Sequence, residues 1–142
     1  WRVGAAQDQL RPDDLPVVLL RRDHSARKGG GRVLGAGAPR TGSPCAWVYL
    51  ENLAWAMGVP DYDGAMTLEQ SSRLGRAIGR IVAHEVIHAV APALGHARSR
   101  VMSVRFNRND LVSMYLPVDG ATRRGVRAVL AAARASSTLP RS

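Results

Sequence analysis

At 142 residues, 46% hydrophobic and 22% charged, the chain fits one folded domain large enough to bury a core. No apolar run approaches the roughly 18–20 residues that a membrane span requires, so no spanning segment is expected. The net charge of +9 is almost wholly arginine, with Lys28 the sole lysine, and such a charge attracts nucleic acid, anionic surfaces or acidic substrates.

The arginines are nevertheless scattered. Their densest region, Arg21, Arg22, Arg27, Lys28, Arg32 and Arg40, has none of the interleaved aromatics of a single-strand-binding surface. No helix-turn-helix, RNA-recognition or zinc-finger pattern occurs, so a specific nucleic-acid partner is not expected. Cys45 is the only cysteine, which excludes an internal disulfide and a Cys-based metal cluster and leaves a small apolar packing residue. Trp1 is neither an initiator methionine nor the start of a signal peptide, and a fragment or processed form is expected. A secreted or periplasmic setting is preferred; the oligomeric state stays open.

In chain order, residues 1 to 14 are polar, with Pro12, Asp13 and Asp14, and read as a lead-in. Leu15 to Leu20 is a short Val- and Leu-rich run closed by Arg21-Arg22-Asp23, which predicts a buried strand. His24 follows alone in a turn-prone setting, with no partner at a ligand spacing. The glycine-crowded stretch from Ser25 to Pro44 lacks the endings of a P-loop or a dinucleotide fingerprint and reads as a mobile loop. A short edge strand around Val33 to Ala36 interrupts it. Cys45 to Leu50, with Trp47, Val48 and Tyr49, has strand composition and is a candidate edge strand for extended substrate. Leu53 to Met57 predicts a helical turn ended by Gly58. Asp61-Tyr62-Asp63-Gly64 is a turn without the closing Glu of a calcium loop.

Thr67 and Gln70 form a capping-box pair, and the helix they start should run to about Ala91, because Pro92 disfavours helix at the residue before it. Glu69, Arg73, Arg76, Arg80, His84 and His88 fall three or four apart on one polar face. Leu74, Ile78, Ile81, Val82, Val86, Ala89 and Val90 cover most of the rest. His84 and His88 therefore stand one turn apart and can offer two imidazole nitrogens to one cation, while Glu85 beside them can act as base without being a ligand. Four His and three Glu arrange themselves as H-E-x-x-H by chance roughly once in several hundred chains, so the flanking residues matter. Pro92 and Gly95 let the chain turn back and present His96 as a third ligand. Three protein ligands with an open fourth position is the catalytic pattern of zinc. No Glu follows Glu85, so the rival carboxylates are Asp110 and Asp119.

The run His84-Glu85-x-x-His88, His96 and Met102 resembles the metzincin metallopeptidases, in which H-E-x-x-H-x-x-G-x-x-H precedes a methionine-containing turn. It is most similar to a bacterial variant of the type A-H-E-I-G-H-L-L-L-x-x-x-x-H-S-x-x-G-I-M, which has the same eight-residue step between its second and third histidines. The resemblance implies zinc held by His84, His88 and His96, Glu85 as general base and Met102 as the Met-turn. It spans roughly residues 74 to 110, about a quarter of the chain. Ile87, Ala91 and Arg100 stand where these patterns carry glycine, and His96 comes two residues later than in the longer signature.

Past the turn, Val126, Val129 and Leu130 at helical spacing opposite Arg123, Arg124, Arg127 and Arg134 predict a C-terminal helix that covers the core, with a disordered end from about Ser136. Tyr115 is a candidate oxyanion stabiliser and, on the plainer reading, an interfacial aromatic. The expected architecture is an α/β (α+β) zincin-like domain over residues 1 to 142. In it a small mixed sheet packs on the long active-site helix, with a C-terminal helix after the Met-turn. The expected activity is zinc-dependent hydrolysis of peptide bonds in a peptide or protein substrate. The alternative is a non-catalytic basic binding module with a degenerate zinc site.

Overall fold

The computed structural model describes residues 11, 14–21, 32–38, 45–59, 62, 64–97 and 100–137. Most of the lead-in, His24, the glycine triplet, the stretch 39–44, Asp61 and Asp63 lie outside them. The elements run β1 (Val17–Leu20), β2 (Gly35–Ala38), β3 (Cys45–Tyr49), α1 (Leu50–Met57), α2 (Leu68–Val90), α3 (Arg108–Val112) and α4 (Gly120–Ser137). The result is a mixed α/β architecture in which α2 packs on a three-stranded sheet.

The sheet order is β1-β3-β2. β1 runs parallel to β3, with Val17 opposite Ala46, and β2 runs antiparallel to it, with Gly37 opposite Ala46. Two strand expectations change as a result. Cys45–Tyr49 is the central strand, because Ala46 and Val48 alternate into the core and both its edges are paired. Val17–Leu20 is an edge strand with Leu19 half exposed, since an apolar run records composition and not the number of faces that are covered. The short strand of the glycine-rich stretch does form, two residues later than its composition suggests, and it supplies the other edge.

α1 leaves β3 without a loop and stops at Gly58. There φ is 68°, a left-handed conformation open to glycine, and the chain closes with Gly58 and Val59 N–H groups donating to the Trp55 and Ala54 carbonyls. α2 begins at the capping box: the Gln70 N–H donates to Thr67 Oγ1 at 3.2 Å, and the Thr67 N–H to Gln70 Oε1 at 2.9 Å. It ends at Val90, as Pro92 requires. Its apolar stripe, Leu74, Ala77 and Ile81, is buried against Val48, Leu53, Met57, Val59 and Leu111.

The polar stripe of α2 divides. Glu69 pairs with Arg73 at the exposed start. Further on, Arg76 donates to the Val112 carbonyl and the buried Arg80 to those of Leu111 and Ser113. These carbonyls end α3 and have no partners within so short a helix, so the two guanidinium groups fasten α3 to α2. One turn further, the same face carries His84 and His88.

α4 does not cover the core. Thr122 is buried and Gly125 meets the Leu94 side chain, but Val129 and Leu130 are exposed. Helical spacing marks an apolar face without saying what it meets, and the core side of α2 is already occupied by the sheet, α1 and α3. α4 runs to Ser137, and the residues after it, on which the expected disordered end falls, lie outside the described ones.

Candidate metal centre

The three histidines come together. The His88 and His84 Nε2 atoms are 3.1 Å apart, and the His88 and His96 Nε2 atoms 3.2 Å apart. Donor atoms bound to one tetrahedral zinc at 2.0–2.1 Å would stand about 3.3 Å from one another. His84 Nδ1 lies 2.7 Å from the Val101 carbonyl, and a carbonyl only accepts, so the Nδ1 atom carries the proton and Nε2 of the neutral ring presents its lone pair. Converging lone pairs at this spacing repel unless a proton or a cation lies between them. These residues can therefore hold one metal ion.

Local structure explains each placement. His84 and His88 are one turn apart on α2, so their rings meet edge to face with centroids 4.6 Å apart. After Ala91 the chain turns, with the Leu94 N–H bonded to the Ala91 carbonyl, and brings His96 to 4.7 Å from the His88 ring. The His96 loop is then tied to the methionine turn: the Ala97 N–H donates to the Met102 carbonyl at 2.7 Å, and Ala97 and Ser103 form an isolated bridge. Met102 is fully buried. The turn thus holds two ligand candidates at once, His84 through the Val101 carbonyl and His96 through Ala97. Phe106 packs edge-on against His84 at 5.5 Å.

Arg100 opens that turn with φ at 74°, the only non-glycine residue with positive φ among the described residues. Glycine is the residue that adopts this backbone without strain.

Both rival carboxylates are engaged elsewhere. Asp110 caps α3, receiving the Asn107 N–H at 3.0 Å while its own N–H donates to Asn107 Oδ1. Asp119 caps α4, receiving the Thr122 N–H at 2.8 Å and the Thr122 hydroxyl at 2.6 Å. Tyr115 is 77% exposed and is absent from the residues that line the cleft.

That cleft has a volume of about 1060 Å³ and is bounded by β2, the exposed end of α1, α2 with its histidines, and Ser103 to Phe106. Glu85 lies in its wall and is buried. Burial raises its carboxyl from the ordinary 4.5 to about 7, and the Gly37 N–H, which donates to it, partly opposes that rise. Burial also lowers His84, with the Val101 bond opposing and the charge of His96 adding to it. His88 is lowered by burial first and then by its two histidine neighbours. Neutral imidazoles near pH 7 are the metal-binding form.

Two residues of this site escape a reading of the sequence that treats the glycines as a loop. A Cβ on Gly37 would stand 2.6 Å from the Glu85 backbone oxygen, and one on Gly35 would stand 2.6 Å from Ile81 Cγ2. β2 thus lies directly on α2 because both inward-facing positions of the strand are glycine. The signal was present as Gly-x-Gly at the strand period, which marks close backbone approach.

The chain matches no protein-family model, no curated protein and no solved structure.

Proposed function

We propose that the chain is a zinc-dependent metallopeptidase of zincin-like architecture, with His84, His88 and His96 as ligands and Glu85 as general base. The observation that carries this reading is the convergence of three imidazole Nε2 atoms beside a buried carboxylate in the wall of an open cleft. Three neutral nitrogen donors suit zinc, which needs no redox chemistry and accepts a tetrahedral set. The left-handed backbone at Arg100 adds support, because the metzincin variant that the sequence resembles has glycine there.

When bound, zinc supplies a Lewis acid that polarises a carbonyl and makes water more acidic. The chain's own residues do the rest. Glu85, ionised with one side held by the Gly37 N–H, takes the proton from the attacking water and later delivers it to the departing amine. A carboxyl near pH 7 is well matched to both transfers. The Val101 carbonyl fixes the ring orientation and tautomer of His84. β2, an edge strand on the cleft, offers its outer backbone groups to an extended peptide.

Zinc-loaded protein incubated with a peptide mixture, with products read by mass spectrometry, tests the reading. New termini should form, disappear with a chelator and return with zinc. Glu85→Gln should keep the metal and lower turnover by at least about 10²-fold. Zinc-loaded wild type that cleaves nothing would leave the basic binding module as the better reading.

A further inference from the structure

The cleft is electrically lopsided. Among its lining residues the cations outside the histidines are Arg32 and Arg105, and the only carboxylate is Glu85, which is buried against Gly37 and α2. Neither arginine has a carboxylate partner among the described residues. They come from separate segments. Arg32 lies three residues before β2, and its guanidinium carbon stands 4.6 Å from the centre of the Trp55 ring, so a cation–π contact holds its charge over the α1 end of the cleft. Arg105 follows the methionine turn, and its carbonyl accepts the Ser103 hydroxyl at 2.7 Å, which anchors the backbone that carries it.

Two uncompensated cations on the walls of one groove raise its potential and concentrate anionic ligands there. From this we infer that the cleft selects peptides with acidic side chains on either side of the central peptide bond, with Arg32 and Arg105 as the specificity-determining residues. The inference rests on the peptidase reading for what happens after binding, but not for the binding itself. An extended peptide fits better than nucleic acid, because the lining between the arginines is β2 backbone and small or apolar side chains, and Trp55 is the only large ring there besides Phe106 and the histidines.

Calorimetry on the Glu85→Gln protein, with chelator-treated wild type as a second non-cleaving background, reads binding without turnover. The probes are acetyl-Ala-Glu-Ala-Ala-Glu-Ala-amide and its Gln and Lys counterparts. Exposed ion pairs of this kind change affinity by a few-fold each, so the Glu peptide should bind about threefold to tenfold tighter than the Gln peptide, and the Lys peptide weakest. Arg32→Gln combined with Arg105→Gln should abolish the order. Arg123→Gln combined with Arg127→Gln on α4, an equal loss of charge outside the cleft, should preserve it. Equal binding of the three peptides, or an equal loss in both double variants, would overturn the inference. So would tighter binding of a thymidine octanucleotide that depends on the same two arginines. Wild type that cleaves no peptide while the binding order stands would defeat the peptidase reading alone.

Discussion

Gly37→Ala tests how β2 is seated on α2, the helix that carries His84 and His88. The added methyl would stand 2.6 Å from the Glu85 carbonyl oxygen, 3.1 Å from His88 Cβ and 3.2 Å from Glu85 Oε2. The nearest of these is helix backbone, which cannot swing aside, and carbon contacts are comfortable only at about 3.5 Å or beyond. The strand must therefore lift by close to 1 Å. Over-packing of this kind costs about 1–3 kcal/mol, and weakening the Gly37 N–H bond to a charged carboxylate costs about 1.5–3 kcal/mol more. The smaller unfolded-state entropy of alanine returns about 0.4–1 kcal/mol, which leaves a net loss of about 1.5–5.5 kcal/mol. Gly79→Ala is the matched control. Nothing lies within 4 Å of a Cβ at Gly79, which is inside α2 and exposed, so alanine there should stabilise by about 0.5–1 kcal/mol through helix propensity. Urea denaturation of the two variants measures both values. Shifts of the same sign and similar size would refute the close seating of β2.

Two other outcomes are expected. Arg100→Gly relieves a left-handed backbone at an exposed position and should raise stability by about 1 kcal/mol in thermal or urea unfolding; a loss would show that the arginine side chain stabilises the turn. In chelator-treated protein the folded-state carboxyl of Glu85 is raised to about 7, so its contribution is full below about pH 4.5 and disappears as pH rises through 7. Wild type should therefore lose about 2–3 kcal/mol relative to Glu85→Gln between pH 5 and 8, and parallel stability curves would contradict it.

Much of the long helix and the histidine triad was legible because it depends on local rules. The Thr67 and Gln70 pair, Pro92 and the four-residue step of His84 and His88 each act within one or two helical turns. His96 could be placed from its neighbouring Pro92 and Gly95 together with the resemblance of the Met102 spacing to the metzincin variant. Its preference over Asp110 and Asp119 becomes physical only when both aspartates are found receiving N–H groups at helix starts. What stayed hidden depends on distant partners. The order of the strands is decided by which edges find a neighbour, and the burial of Arg80 by the helix end it caps. The openness of α4 follows from a core already filled by other elements.

The central claim is a three-histidine zinc site, and metal analysis of purified variants tests it most directly. Wild type should hold about one zinc per chain, His96→Ala should lose most of it, and Asp110→Asn should keep it. Metal-free wild type purified without chelators, or zinc retained by His96→Ala and lost from Asp110→Asn, would contradict the account.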